Sequence, residues 1–421
     1  MSRLWCWGLI ALSLMLTDVA RAASFDDAIA AYKRKDYPTA LSLFRSLAAA
    51  GDTRAQGNLG VMYSHGEGVP QDYAEAMKWY RRAAEQGDPH AQYNLGVRYE
   101  RGGGVAQNYA EALKWYRLAA AKGDVLAHGN LGVMYFNGYG VTPDFTAAAT
   151  EFRFAAEHGD ALAQDNLGIM YATGRGVPQN EAEAVKWFDL AARQGNAQAQ
   201  YNLGVRYAQG EGVEQDYNEA LKWYRLAAEQ GYPEAENNLG TMYESGRGIP
   251  QDEVVAVKWF RIAALHKNAK AETNLGLMYA NGKGVTQDFA EARKWLQNGA
   301  DHGEVKAQSN LGALYATGRG VPQSYVEAAK WYGLAAKHGD EAAGSILEKI
   351  RMVQARGAAQ PPRLEQHSSI IPMPSAPRQP LERFEPSMFR LSSPVMERRT
   401  ISIGPPPSAG FHMMAGHFGR R

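Results

Sequence analysis

Histidine is the side chain that most often serves as a metal ligand or a general base, and three histidines recur here at intervals of 36 residues: His266, His302 and His338. A metal site would need their nitrogens about 2 Å from one ion. If each histidine belongs to a separate stacked helical hairpin, neighbours lie about 10 Å apart. We therefore predict no metal site, and we expect the three to complement helix C-termini with positive charge.

The motifs of nucleophilic and phosphate chemistry are also missing from the sequence. The single cysteine, Cys6, lies within the first dozen residues, and no G-x-S-x-G or S-x-x-K motif occurs. Glycine pairs such as Gly66 and Gly68 recur, but no Gly-Lys-Ser/Thr follows them. The sequence therefore predicts a protein that is not an enzyme and that binds no cofactor.

A row of tryptophans could be a stacking surface for sugars. Seven of the nine tryptophans recur once per 36 residues, at Trp79, Trp115, Trp187, Trp223, Trp259, Trp295 and Trp331. Such strict recurrence, with Tyr or Phe beside most of them, is what packing between repeats requires. We predict that these tryptophans are structural.

Composition narrows the class of protein further. Lys plus Arg is 45 and Asp plus Glu is 44, so the formal net charge of +1 argues against binding nucleic acid through bulk positive charge. Apolar residues make up 45% of the chain, which is ample for a packed core.

The N-terminus has the pattern of an export signal. Arg3 precedes an apolar run over residues 4–16, and Ala20-Arg21-Ala22 is a small-x-small cleavage site. Residues 1–22 are therefore interpreted as a signal peptide, the alternative being an uncleaved N-terminal anchor. We expect a periplasmic or secreted protein.

The positioning elements come from a repeat of 36 residues. Asn-Leu-Gly begins at residues 58, 94, 130, 166, 202, 238, 274 and 310, which defines eight repeats, numbered 1 to 8, over residues 52–339. In repeat 2, Asp88 and Asn108 are positioned as helix N-caps. Gly102 and Gly104 favour a tight loop between the two helices. Each repeat is predicted to be a helix–loop–helix hairpin that stacks on its neighbours.

This pattern, A-x-x-N-L-G-x-x-Y-x-x-G-x-G-V followed by D-x-x-E-A-x-K-W-Y-x-x-A-A-x-x-G, resembles the Sel1-like repeat family, a relative of tetratricopeptide repeats. The resemblance implies an all-α fold, a right-handed α/α solenoid of helix hairpins. Residues 23–51 look like a tetratricopeptide-like capping hairpin, and residues 340–355 like a capping helix. Glu151 replaces the tryptophan in repeat 3, and His266-Lys267 replaces a glycine turn in repeat 6. Local irregularities are expected at both.

The resemblance also implies where a partner would bind. In the related tetratricopeptide hairpins the first helix of each repeat lines a concave groove, whose mixture of Tyr, Arg, His and amides would suit a protein or peptide. Carrying this register over gives the candidate partner-binding residues His90, Tyr93, Glu100, Arg101, Tyr201, Glu234, Asn237 and Lys306. A cysteine-rich branch of the family is associated with penicillin binding and weak β-lactam hydrolysis, but its paired cysteines are absent from this sequence.

The C-terminal residues 356–421 are predicted to be a disordered Pro/Arg-rich tail. From residue 351 onward the chain has eleven prolines, ten arginines, no lysine and four glutamates, a net charge of +6, and Pro374, Pro377 and Pro380 form overlapping P-x-x-P spacings. Subtracting this +6 and the +1 of residues 1–22 from the total of +1 leaves −6 for residues 23–350. The tail is either freely solvated or docked on an acidic surface.

Together these features predict a non-catalytic protein-interaction scaffold or adaptor of the bacterial cell envelope. Its partner is expected to be an envelope protein or peptide, with no nucleic acid and no transmembrane segment after signal cleavage, and a monomer is favoured. Two alternatives stay open: a protein that binds peptidoglycan or another polysaccharide, and a weak β-lactamase-like hydrolase.

Overall fold

The computed structural model describes residues 24–355, so the predicted signal peptide and the predicted tail lie outside the described residues. Within residues 24–355 every regular element is an α-helix. The described chain forms two compact units, residues 24–163 and residues 164–355, which divide within one helix.

The helices of residues 24–163 are α1 (Phe25–Lys33), α2 (Tyr37–Ala49), α3 (Thr53–His65), α4 (Tyr73–Glu85), α5 (Pro89–Arg101), α6 (Tyr109–Ala120), α7 (Val125–Asn137) and α8 (Phe145–Glu157). Helix α9 (Ala161–Thr173) contains the division between the units. The helices of the second unit are α10 (Glu181–Arg193), α11 (Ala197–Gln209), α12 (Tyr217–Glu229), α13 (Pro233–Ser245), α14 (Glu253–Leu265), α15 (Ala269–Asn281), α16 (Phe289–Asp301), α17 (Val305–Thr317), α18 (Tyr325–Lys337) and α19 (Glu341–Ala355). No helix of the described residues is long and apolar enough to cross a membrane.

Local signals in each repeat fix where its two helices begin and end. In repeat 2 the Asp88 carboxylate accepts a hydrogen bond from the Ala91 backbone N–H at 2.7 Å, which caps α5. Gly102 ends that helix with a left-handed φ of 80°. The Asn108 side chain then accepts a hydrogen bond from the Glu111 N–H at 3.1 Å and starts α6. The hairpin predicted from the sequence is confirmed.

The first glycine of the loop ends a helix, whereas the second allows close packing against the preceding repeat. Gly104 also has a positive φ, 79°, but a Cβ atom placed on it would lie 2.7 Å from the carbonyl oxygen of Tyr73 in repeat 1. The absence of a side chain lets the loop pack against the first turn of α4. The Gly-x-Gly pair therefore ends a helix and also brings neighbouring repeats together.

The core runs from one repeat into the next. A Cβ on Gly96 would lie 2.5 Å from the ring of Tyr116, so the glycine of Asn-Leu-Gly admits a fully buried aromatic ring from the second helix. Trp115 of repeat 2 packs in one cluster with Tyr80 and Ala83 of repeat 1. This packing confirms the predicted structural role for Trp115, and Trp223 and Trp331 likewise pack in clusters with residues of the preceding repeat.

Arginine–tyrosine hydrogen bonds add polar contacts between repeats. In each pair an arginine of one hairpin donates to the hydroxyl of a tyrosine 18 residues later, in the first helix of the next hairpin. The pairs are Arg45–Tyr63 at 2.7 Å, Arg81–Tyr99 at 2.8 Å, Arg117–Tyr135 at 3.0 Å, Arg225–Tyr243 at 3.2 Å and Arg261–Tyr279 at 2.6 Å. The tyrosine of Asn-Leu-Gly-x-x-Tyr is thus a contact residue as well as a core residue.

Candidate functional site

The first helices of the repeats have fewer solvent-exposed side chains than the tetratricopeptide register predicts. Two of the candidate binding residues, Tyr93 and Asn237, are buried. The Tyr93 ring centroid lies 5.7 Å from that of Tyr116 in the core of repeats 2 and 3. Asn237 Oδ1 accepts a hydrogen bond from Asn274 Nδ2 at 2.9 Å. Their placement on an open groove is therefore corrected, and replacing Tyr93 would damage the core before it affected a partner.

In the first unit, the other candidates lie at the two ends of α5. His90 is near its start, half-buried, with Nδ1 3.5 Å from Asp124 Oδ2. Glu100 and Arg101 are at its end, and Arg101 is exposed. Ten residues of helix separate His90 from Glu100 by about 15 Å. The fold does not bring these three side chains together.

Glu100 is held by the neighbouring helix. Its carboxylate accepts a hydrogen bond from the Tyr116 hydroxyl at 2.7 Å. Burial raises the pKa of Glu100, while the hydrogen bond from Tyr116 and the charge of Arg101 act in the opposite direction. Burial, followed by the charge of Glu100, raises the pKa of Tyr116 well above its ordinary value. This carboxylate is a structural acceptor with one face toward solvent.

In the second unit, the candidates are spread over α11, α13 and α17. Tyr201 is half-buried, with its ring centroid 5.2 Å from that of Tyr232 and 6.0 Å from that of Tyr224. Glu234 is half-buried, and burial raises its pKa. Lys306 is exposed. These three candidates of the second unit are at least partly exposed.

The three recurrent histidines lie at helix C-termini, as predicted: His266, His302 and His338 are the C-cap residues of α14, α16 and α18. The sequence analysis missed their partners in the first helix of the same repeat. His266 Nδ1 lies 2.8 Å from buried Glu236, and His302 Nδ1 lies 2.7 Å from buried Glu272.

A register signal could have identified these pairs, because the two positions are always 30 residues apart. Three repeats use glutamine pairs there, with the amide of the second glutamine donating to the first: Gln56–Gln86 at 2.7 Å, Gln164–Gln194 at 2.7 Å and Gln200–Gln230 at 2.8 Å. In repeat 8 the pair is Gln308–His338, at 3.3 Å. In repeats 6 and 7 the first position is a glutamate and the second is a histidine: Glu236 with His266, and Glu272 with His302. In six of the eight repeats this pair is a polar contact within the hairpin.

Repeat 3 departs from the pattern where the sequence indicated. Glu151, in place of the tryptophan, contacts His128 Nδ1 at 2.5 Å, and His128 Nε2 lies 3.1 Å from the carbonyl oxygen of Ala120. The His128 ring also stacks on Phe154, with centroids 3.8 Å apart.

In repeat 6, Lys267 takes the left-handed conformation, φ 63°, that glycine takes at the equivalent turn of the other repeats. In residues 24–355 no group of three or more His, Cys, Asp or Glu side chains is arranged to hold a metal ion.

Comparison with known proteins identifies the family. The Sel1 repeat model matches nine consecutive segments: residues 31–52, 53–88, 89–124, 125–160, 161–196, 197–232, 233–268, 269–304 and 305–340. The chain belongs to the Sel1 repeat family, and the predicted all-α solenoid of Sel1-like hairpins is confirmed for the described residues. A scaffold of this kind typically mediates protein–protein interaction. A comparison with curated protein sequences finds no match.

Two solved structures are similar over most of the chain. One is c5321, a protective antigen present in uropathogenic Escherichia coli strains that displays an SLR fold. It is 35% identical, with a TM-score of 0.72, over 82% of this chain and 75% of the antigen. The other is a Sel1 repeat protein from Oxalobacter formigenes. It is 34% identical, with a TM-score of 0.56, over 71% of this chain and 90% of the other.

Proposed function

We propose that this protein is a non-catalytic scaffold of the bacterial cell envelope that binds a partner protein or peptide through the exposed ends of its first helices. One observation carries the proposal: a repeating core supports side chains at the helix ends that vary from repeat to repeat. The leucine of Asn-Leu-Gly is buried in every repeat. The last residue of the first helix, in contrast, is His65, Arg101, Asn137, Thr173, Gln209, Ser245, Asn281 and Thr317 in repeats 1 to 8.

A constant core with variable edges suits the recognition of a partner, because six different residue types occupy these eight equivalent places. Arg101, at the end of α5, and Lys306, at the start of α17, are both exposed and are the strongest of the predicted partner-binding residues. The envelope location rests on the sequence of residues 1–22, whose apolar run and small-x-small site are typical of export.

The test compares two double variants of the full chain as bait for proteins of an envelope extract. Arg101→Ala with Lys306→Ala removes two exposed cations from first helices. Lys114→Ala with Lys330→Ala removes two exposed cations from second helices, and it is the matched control. We expect one saturable partner that the first variant loses and the control retains. Equal capture by both variants would contradict the proposed surface, and the absence of any saturable partner would contradict the scaffold function.

A further inference from the structure

A row of aromatic rings marks one edge of the first unit. The first residue of the second helix is Tyr37, Tyr73, Tyr109 and Phe145 in four consecutive hairpins. Tyr73 is 38% exposed and Phe145 is 39% exposed. In the second unit the equivalent residues are Glu181, Tyr217, Glu253, Phe289 and Tyr325, so glutamates interrupt the row there. The uninterrupted row belongs to the first unit.

Repeat 3 adds two rings that other repeats lack. Tyr139 stacks on Tyr109 with centroids 5.0 Å apart and planes 16° from parallel, and it is still 40% exposed. Phe136 packs edge-on against Phe145 at 5.0 Å. In repeat 2 the same two positions are Glu100 and Gly103, so a Sel1 hairpin does not need aromatic rings there to fold. We name Tyr73, Tyr109, Phe136, Tyr139 and Phe145 the aromatic row.

We propose that the aromatic row is a docking site for a proline-rich extended segment, and that its occupant is residues 372–380 of this chain, Pro-Met-Pro-Ser-Ala-Pro-Arg-Gln-Pro, which carry one arginine. This inference goes beyond the scaffold function, because it assigns a different surface and an occupant within the protein's own sequence.

The spacing of the rings fits such a segment. Packed helices lie about 10 Å apart, which sets the spacing of equivalent rings in successive hairpins. A polyproline II segment advances about 9 Å in three residues. Pro374, Pro377 and Pro380 are spaced by three. One proline can therefore meet each successive ring, as in the aromatic grooves that bind P-x-x-P peptides.

Charge complementarity supports the same occupant. Asp72 and Asp144 precede Tyr73 and Phe145 directly, and both are exposed. Residues 23–350 carry a net charge of −6, whereas the chain from residue 351 onward carries +6 with arginine as its only basic residue apart from histidine. Arginine stacks on aromatic faces better than lysine does. Arg98, whose Cζ lies 4.3 Å from the Tyr73 ring centroid, already shows this contact in the row.

The test uses a nitroxide label on the full chain at Ser375→Cys in a Cys6→Ser background, which leaves one labelled thiol. Docking predicts that label motion is several-fold slower than in the Pro374→Ala, Pro377→Ala, Pro380→Ala triple variant. Tyr139→Ala with Phe145→Ala should release the label to the same extent. Both rings are partly exposed, and thermal melting checks that the fold survives. The matched control is Tyr217→Ala, which removes the equivalent first-turn ring in the second unit and should leave the label slow.

Each outcome either supports or contradicts docking of residues 372–380 on the aromatic row. Fast label motion in the starting chain overturns it, and so does slow motion that the Tyr139 and Phe145 substitutions leave unchanged. Slow motion lost equally with Tyr217→Ala overturns the assignment to the aromatic row. A label that slows only as protein concentration rises supports the row and this segment, with the segment supplied by a second copy. A label that is slow at every dilution supports docking within one molecule.

Discussion

Arg206 is the most unusual side chain of the second unit, because it is a fully buried cation. Its Nε lies 3.3 Å from Glu181 Oε2, and its Nη1 donates to Glu211. Burial lowers its pKa, and the two glutamates counteract that shift. Five repeats have methionine at this position: Met62, Met134, Met170, Met242 and Met278. The site therefore accepts an apolar side chain of similar volume.

We expect Arg206→Met to change the free energy of unfolding by no more than about 1.5 kcal/mol, because methionine fills a similar volume. The carboxylates that lose Arg206 stay partly solvated, since the side chains of Glu181 and Glu211 are 28% and 42% exposed. Arg206→Ala should lower it by about 3 kcal/mol or more, because it removes the pair and leaves a cavity. Urea unfolding measures both, with the exposed Arg193→Met as a control. A loss from Arg206→Met as large as that from Arg206→Ala would contradict this account.

Asp165 is a second buried charge, and it makes stability depend on pH. Burial raises its pKa to about 7, although Asn202 Nδ2 donates to its Oδ1 at 3.0 Å. A carboxyl group with a raised pKa binds its proton more tightly in the folded state. Its contribution to stability is therefore most favourable below about pH 4 and is lost as pH rises from about 4 to about 7.

The neutral equivalent of Asp165 already exists at the same position two repeats later, where Asn237 accepts a hydrogen bond from Asn274 at 2.9 Å. We expect Asp165→Asn to raise the free energy of unfolding at pH 8 by about 2–4 kcal/mol, since one pKa unit corresponds to about 1.4 kcal/mol. At pH 4 the variant should gain little. Urea unfolding across this pH range, with the exposed Glu229→Gln as a control, tests it. An equal gain at both pH values would show that the carboxylate charge is not the cause.

At the scale of the element, the loops allow backbone strain to be separated from close packing. Gly104 and Gly123 have nearly the same φ, 79° and 80°. A Cβ on Gly104 would lie 2.7 Å from the Tyr73 carbonyl oxygen, whereas a Cβ on Gly123 would meet nothing within 4 Å. The two positions share the strain of a left-handed residue, and only one has the contact.

Gly123→Ala should therefore lower the free energy of unfolding by about 1 kcal/mol from strain alone. Gly104→Ala should cost about 2–4 kcal/mol, because the loop must also move away from α4. Gly102→Val should cost about 1–3 kcal/mol through its left-handed backbone. Thermal melting ranks the three variants. Equal costs for Gly104→Ala and Gly123→Ala would mean that the contact between repeats contributes nothing.

The pair at positions 30 residues apart sets the contact between the two helices of a hairpin. In repeat 6 it is a buried glutamate with a half-exposed histidine, Glu236 and His266. In repeat 5 it is Gln200 with Gln230. His266→Ala should lower the free energy of unfolding by about 1–3 kcal/mol, because buried Glu236 then lacks its partner.

Restoring the glutamine pair should recover that loss. Glu236→Gln combined with His266→Gln reproduces the repeat 5 contact, so we expect its stability within about 1 kcal/mol of the starting protein. A double-mutant cycle measured by urea unfolding supplies the comparison. A double variant as unstable as His266→Ala would contradict the equivalence of the two pairs.

At the scale of the molecule, stability should be a sum over hairpins and their contacts, because each hairpin packs mainly on its neighbours. The last hairpin, α17 and α18, is covered by α19, whose Leu347 and Ile350 pack in one cluster with Tyr332 and Ala335. The end of the second unit thus depends on this helix.

Leu347→Ala should shorten amide hydrogen-exchange protection in α17 and α18 and leave α10 and α11 unchanged, since the loss is confined to the terminal contact. Truncating a core leucine costs about 2–5 kcal/mol at the site. Glu348→Ala, on the exposed side of the same helix, is the control. Loss of protection throughout the second unit would show that the unit unfolds as one cooperative block.

The 36-residue repeat, the two helices of each hairpin, most of their N-caps and the left-handed glycines can all be predicted from the amino-acid sequence alone. These features depend on neighbours within about four residues, and the helix-ending glycine pair occurs in register in all eight repeats. The packing role of the tryptophans also followed, because a residue that recurs in seven of the eight repeats must serve what the hairpins share.

Only the tertiary structure decided which faces stay open. A helical period tells which residues share a face but not what covers that face. Tyr93 and Asn237 were therefore predicted on a groove and are buried between neighbouring elements. Partners such as Glu236 for His266 are 30 residues apart, and the Arg206 contact with Glu181 spans two hairpins. Such contacts depend on how closely successive helices approach each other. That distance is set by the packing of the side chains that differ between repeats, so it is known only in the folded structure.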